Sequence, residues 1–210
     1  MDIESEVNQE KKEINRKIEA LTTATIKKSS IILSKNTKIY RLQKGEYNGN
    51  GVFFNTVGEF SRYGLNNGVK GSLYSAFTPR TSIKEVFKAN PFISRDDLNT
   101  YYMGTLVTEQ DLTIVDITKL LPKTHITTHQ LTSCDYTITQ KLAKKLAENA
   151  DGFIFLSNVT SEKCLVLWHD DISSETSIVR TEKLTVFSKF KFKGKIAEDI
   201  LVEDLDISVL

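Results

Sequence analysis

Arg41 in KIYRL, and Arg62, Tyr74 and Glu85 in the run RYGLNNGVKGSLYSAFTPRTSIKEVF from Arg62 to Phe87, are the residues whose types and spacing speak of chemistry. Two arginines, a tyrosine and one carboxylate stand around a glycine-rich turn, with a strand before it and a helix after it. A guanidinium is a planar fork that grips phosphate oxygens in pairs, which a lysine ammonium cannot do. Tyr74 offers an aromatic face to a ring or a sugar. One carboxylate beside an anion clamp suits a sugar carbon that gains positive charge as a bond to it lengthens. The set is equipped to hold a pyrophosphate and to stabilise a cationic ribosyl centre.

Each residue alone has an ordinary explanation. Ser82 and Glu85 have the spacing of a capping box, in which the Glu carboxylate only satisfies backbone donors at a helix start. Tyr74 alternates with Leu73 and Ser75 as a half-buried strand residue does. Gly64, Gly68 and Gly71 permit a close backbone turn whatever it holds. The combination with Arg41 and Arg62 is what a bland domain has little reason to assemble.

These residues need a scaffold, and the patterning outlines one. Period-two or β-rich runs occur at 38–43, 51–54, 72–77, 101–107, 112–116, 152–157, 163–169 and 183–193. Helical patterns are fewer. One follows Thr81, and a stronger one is TITQKLAKKLAENAD, where Ile138, Leu142 and Leu146 share a face. Many short strands with scattered helices predict an α+β fold, with a mixed, mostly antiparallel sheet and flanking helices; a doubly wound parallel sheet would need regular alternation. Residues 1–36 read as an extension, since Ile3, Val7, Ile14, Ile18 and Leu21 repeat at near-heptad spacing in an amphipathic helix expected to dock on its own domain. Residues 37–210 then form one catalytic domain.

Composition narrows the classes. The chain has 210 residues, 40% of them hydrophobic, enough for one real core. Lys+Arg 28 against Asp+Glu 27 leaves a net charge of +1, so no global field draws it to nucleic acid or acidic membranes. No apolar run approaches the roughly 18 residues of a membrane span. The start, MDIESEVNQEKKEINRK, is charged where a secretory leader would be greasy, and only Cys134 and Cys164 are present, without a CxxC. A reducing, cytoplasmic setting fits.

Other constellations read as ordinary. His125, His129 and Cys134 suggest a metal site, but THITTH is too β-branched for a confident helix and no fourth ligand is evident, so no metal is expected. Trp168, His169 and Asp170 read as edge and turn residues. TVFSKFKFKGK alternates phenylalanines with lysines; stacking on single-stranded nucleic acid is one reading, a solvated lysine face the preferred one. IAEDILVEDLDISVL is expected to pack on the domain or on a partner.

With these residues in view, the chain resembles the RES-domain family, bacterial toxins that degrade NAD⁺ and whose fold is similar to that of ADP-ribosyltransferase toxins. The resemblance runs from IYR with Arg41, through SRYG with Arg62 and LYSAFTPRTSIKEVF with Tyr74 and Glu85, to YTITQKLAKKLAENADGFIFLSN and CLVLW, where Ser157 falls at the family serine. It spans roughly residues 38–170. Where the family often has a Ser-Ala-Arg-like stretch after the last strand, this chain reads SNVTSEK. The resemblance implies an ADP-ribosyltransferase-like fold and cleavage of the nicotinamide–ribose bond. Arg41, Tyr74, Glu85 and Ser157 would be catalytic, and Arg41, Arg62, Tyr74, Ser157 and Tyr40 would bind NAD⁺; Tyr40, facing opposite to Arg41, could equally point into the core.

Nicotinamide leaves as a neutral molecule from a cationic bond, so no second carboxyl is needed as acid, unlike ordinary glycosidases. The acceptor stays open: water for a glycohydrolase, inorganic phosphate for a phosphorylase, a macromolecule for an ADP-ribosyltransferase. A non-enzymatic protein- or RNA-binding module is the remaining alternative. NAD⁺ would be substrate, with phosphate as co-substrate for a phosphorylase and no resident cofactor. A neutralising antitoxin or immunity protein is expected, while a homo-oligomer is left open.

Overall fold

The computed structural model describes residues 3–59, 61–65, 68–132, 136–170 and 177–210, with side chains described from Asn8 onward. Ile3 and Val7 of the heptad-like repeat, and Cys134, lie outside the described side chains. The chain opens with helices α1 (Ile3–Glu19) and α2 (Thr23–Lys28), then strands β1 (Ser30–Leu33) and β2 (Lys38–Lys44). A 3₁₀ turn at Tyr47–Gly49 follows, and later come β3 (Gly71–Ala76), α3 (Pro79–Val86), β4 (Phe92–Ile93), α4 (Arg95–Leu98), β5 (Tyr101–Thr108) and β6 (Leu112–Asp116). Helices α5 (Ile117–Leu120), α6 (Thr128–Thr132) and α7 (Tyr136–Ala147) lead into β7 (Gly152–Leu156), β8 (Lys163–His169) and β9 (Val179–Val186). The chain closes with β10 (Lys191–Phe192), β11 (Lys195–Ile196), α8 (Ala197–Asp199), a π-turn at Ile200–Asp204 and β12 (Ser208–Val209).

Eight strands form one sheet in the order β1-β6-β7-β8-β3-β2-β5-β9. Among the described residues only β6 and β7 run parallel within it, so the mixed, mostly antiparallel α+β architecture is as the patterning predicts. Within the segment 1–36, Ser30–Leu33 joins the sheet edge by pairing with β6.

Alternation along the central strands sends side chains into separate cores. On β8, Val166 and Trp168 enter one apolar cluster, while Leu165 and Leu167 enter another. The first is roofed by α7, whose Ile138, Leu142 and Leu146 are buried as their spacing predicts, and by Ile14, Ile18 and Leu21 of the N-terminal segment. Glu19 and Lys141 close that contact at 2.6 Å, so α1 docks on its own domain. A third cluster joins Leu42, Ile83 and Phe87 to Phe187, Leu201 and Ile207 of the C-terminal stretch. That stretch therefore packs on the domain, behind α3.

Two expected strands differ. Segment 51–54 alternates as a strand should, with Val52 and Phe54 buried and Phe53 exposed, yet it belongs to no ladder. The Arg41 guanidinium takes the Gly51 and Phe53 carbonyls instead, at 3.4 and 3.2 Å. The run 183–193 is broken by a 3₁₀ turn at Phe187–Lys189, because Phe187 and Phe190 both turn into the third cluster. Those rings are spent in the core, so the stretch offers no row of phenylalanines for stacking on bases.

Candidate active site

The candidate residues gather at a weak seam in the sheet. Strand β2 makes a full antiparallel ladder with β5, and β3 does the same with β8. Between β2 and β3 a single pair is made, Tyr40 with Ala76. Beyond that pair the strands splay, and the backbone groups facing the gap need other partners. The Leu42 N–H donates to Ser82 Oγ of α3 at 2.7 Å, so a helix side chain stands in for the missing strand.

Helix α3 starts one turn before the Ser82–Glu85 box that spacing suggests. Thr78 is its N-cap, accepting from the Thr81 N–H at 3.2 Å, and Pro79 occupies the first helical position, where its missing N–H costs nothing. Ser82 is thus released to hold Leu42, and Glu85, three residues on, shares its helix face. The capping explanation of Glu85 does not hold. Its carboxylate lies 4.0 Å from Lys88 Nζ and is about three-quarters shielded from solvent, with 27% side-chain exposure.

Two hollows flank the seam and share Tyr74, Glu85 and Phe155 as walls. The larger, about 820 Å³, also takes in Arg62 and Ser157 and runs on to Leu131 and Tyr136. The smaller, about 320 Å³, also takes in Arg41, Ser82 and Cys164. The structure therefore brings Arg41, Arg62, Tyr74, Glu85 and Ser157 to one divided cleft.

Tyr40 is the exception. Its ring packs edge-on to Phe192, with centroids 6.3 Å apart, against the third cluster, and it lines neither hollow. Successive strand residues face opposite ways, so the register that gives Arg41 to the cleft sends Tyr40 to the core. Its expected role in binding is corrected accordingly.

Arg62 sits on a turn held from several sides. Gln140 of α7 reaches the Gly58, Glu59 and Ser61 carbonyls at 3.0–3.1 Å. The Tyr63 N–H donates to Tyr74 Oη at 2.9 Å, and Trp168 Nε1 donates to the Tyr63 carbonyl at 3.3 Å. Trp168 is thus a buried support in mid-sheet, not an edge residue. A Cβ on Gly64 would meet Ser61 Oγ at 2.1 Å and the Gly58 carbonyl at 2.7 Å, so only glycine lets this turn close. Arg62 itself donates to the Leu131 carbonyl at 2.7 Å and lies over the Tyr136 ring at 5.2 Å. These contacts aim a pre-set guanidinium along the larger hollow.

Burial lowers the Arg41 pKa to about 10, with the Tyr47 phenol opposing, which still leaves the guanidinium charged at neutral pH. Among the described residues no carboxylate pairs with it; its bonds are the two carbonyls named above. A desolvated cation without a counter-charge is a ready anion site. Burial also pushes the Tyr74 phenol up to about 12, against hydrogen bonds from Ser61 and Tyr63, so it stays neutral.

Buried Ser157 accepts from the Val159 and Thr160 N–H groups, both at 3.1 Å. Its Oγ thereby shapes the loop after β7 and keeps its own hydrogen as a donor. Sequence reasoning missed Ser82, Gln140 and Phe155. Only Ser82 had a local signal, its i,i+3 relation to Glu85. Among the described residues no cluster of metal-ligating side chains occurs, and His125 and His129 are exposed. Cys164 is buried, and burial raises its thiol to about 12, so it is an unreactive wall. No described helix is long and apolar enough to cross a membrane.

The fold is shared with a solved structure, that of the M. tuberculosis MbcT–MbcA toxin–antitoxin complex. The superposition has a TM-score of 0.61 and covers 82% of this chain and 90% of that one, at 14% sequence identity. No curated protein matches the chain by sequence. The RES-domain model matches residues 38–186, the stretch from β2 to the end of β9 that builds the cleft. The chain belongs to the RES-domain family.

Proposed function

We propose that this protein is an NAD⁺-degrading toxin that breaks the bond between nicotinamide and ribose. The observation that carries the reading is Glu85 in a wall common to two hollows, each of which also holds an arginine. Arg62 would hold the pyrophosphate, and Tyr74 with Phe155 would face the ribosyl end. Glu85 would hydrogen-bond the ribose hydroxyls and stabilise the oxocarbenium-like carbon. The electron pair of the breaking C–N bond leaves with nicotinamide, which is neutral once free, so one carboxylate suffices. Electrostatic stabilisation of this kind is commonly the largest catalytic contribution.

Arg41 favours inorganic phosphate as acceptor. Its unneutralised charge lies in the smaller hollow, which Glu85 also lines, and a phosphate oxygen held there would attack to give ADP-ribose 1″-phosphate. Attack by water, with loss of a proton, would give ADP-ribose instead. Transfer to a macromolecule is the alternative that labelled NAD⁺ would expose. The reading places its action in the cytoplasm, where the substrate is, and calls for a neutralising antitoxin or immunity protein. Exposed Val86, Leu156 and Val159 on the cleft walls suit such a partner, and the solved neighbour is itself a toxin–antitoxin complex.

The test is incubation of purified protein with NAD⁺, with and without phosphate, following nicotinamide and the ribosyl product. Phosphate-stimulated release supports the phosphorylase, and equal release in both buffers the glycohydrolase. No release in either buffer would reject the reading.

A further inference from the structure

Helix α3 carries Glu85, and the loop after β7 carries Ser157, yet they come from different parts of the chain. One residue joins them. The Glu162 carbonyl accepts from the Ser157 N–H at 2.8 Å and closes the loop. The Glu162 carboxylate reaches across to the start of α3, where Oε2 accepts from the Thr78 hydroxyl at 2.9 Å and, in a short contact, from the Thr81 hydroxyl. Oε1 faces Arg80 Nη1 at 3.9 Å. From these contacts we infer that Glu162 is a positioning residue that fixes Glu85 relative to Ser157, an inference that rests on the NAD⁺-cleaving reading of the site.

The other anchors of α3 point elsewhere. Ser82 ties it to β2, and Lys84 Nζ ties it to the Leu205 carbonyl at 2.6 Å. Ile83 and Phe87 pack into the cluster behind it. Among the described contacts of α3, only those of Glu162 lead to the loop that bears Ser157. Thr78 stands seven residues before Glu85, about 10 Å along the helix at 1.5 Å per residue. A pivot of roughly 6° at that end displaces the carboxylate by about 1 Å, and misplacement on that scale costs on the order of 100-fold in rate. The hydrogen bonds from Thr81 and Thr78 outweigh burial and hold the Glu162 carboxyl below its ordinary pKa, so it acts as the anion at neutral pH.

The test uses the full chain with Glu162→Ala and Glu162→Gln. Steady-state kinetics on NAD⁺ are combined with thermal melts and amide exchange over residues 80–86. The Ala variant should lose about 10- to 100-fold in kcat with KM within about threefold, since the pyrophosphate clamp is untouched. Gln keeps an oxygen for both hydroxyls and should restore most of kcat. Amides of 80–86 should exchange about tenfold faster in the Ala variant, with the 200–207 segment unchanged. An Ala variant with wild-type kcat overturns the inference. So does a loss that only tracks the unfolded fraction, or a Gln variant as poor as Ala. Wild-type protein that releases no nicotinamide rejects the NAD⁺ reading instead. The exchange measurement then still decides whether Glu162 orders α3, and unchanged exchange would overturn that as well.

Discussion

Strand β2 has two neighbours and treats them differently. With β5 it makes seven register pairs, from Lys38–Val107 to Lys44–Tyr101, and with β3 it makes one. The β5 side is a closed ladder in which backbone groups satisfy each other, while Ile39 and Leu106 fill one core and Leu42 and Met103 the core behind α3. The β3 side gives up that ladder, and its walls carry Arg41, Tyr74 and Glu85. A seam without strand pairing leaves donors that side chains must meet, and each buried group left unmet costs about 1–3 kcal/mol. Ser82 meets one of them. Ladder and candidate site are thus separated across a single strand: one edge of β2 is fully paired, the other opens onto the cleft.

Substitutions can break that separation or sharpen it. Glu85→Gln or Arg41→Ala should reduce nicotinamide release by about 1,000-fold or more, roughly 4 kcal/mol in the barrier. A cooperative melt should persist in both, because neither change touches the backbone ladder of β2 with β5, although Arg41→Ala also frees the Gly51 and Phe53 carbonyls; normal turnover in either would contradict the role assigned to that residue. On the closed side, Met103→Ala should cost about 2–5 kcal/mol of stability. Met103 is 1% exposed and stands opposite Leu42, so denaturant melts should show the loss while turnover per folded molecule holds.

Ser82→Ala lies between these cases. It should destabilise by about 1–3 kcal/mol, through the orphaned Leu42 N–H. It should also lower turnover, since the same residue fixes α3 against the gap. Arg62→Lys should raise KM for NAD⁺ about tenfold with kcat less affected, because an ammonium cannot reproduce the guanidinium fork. Tyr40→Phe should be nearly silent in both measurements, within about 0.5 kcal/mol in melts. A large loss of NAD⁺ affinity there would return Tyr40 to the site.

Much of this was legible in residue types and periods. Arg41, Arg62, Tyr74, Glu85 and Ser157 were visible as a polar set in chain order, and the Ile138-Leu142-Leu146 stripe marked α7 correctly. What could not be read was the seam. Strand propensity in KIYRL and SLYSAF says that both segments extend, but not that they pair only at Tyr40 and Ala76, since pairing is decided by groups far apart in sequence. The same limit hid segment 51–54, whose alternation is real but whose carbonyls go to an arginine side chain. The α3 start was misplaced for a different reason. Ser82 and Glu85 match the capping pattern, while Thr78-Pro79, a stronger start, stood one turn earlier.

The central claim is that the gap between β2 and β3 is where a dinucleotide is held and cut. A crystal structure of the Glu85→Gln protein with NAD⁺ tests it most directly. The account predicts the nicotinamide ribose between Tyr74 and residue 85, with the pyrophosphate on Arg62. NAD⁺ bound elsewhere on the molecule, or bound in the cleft with its pyrophosphate away from Arg62, would contradict it.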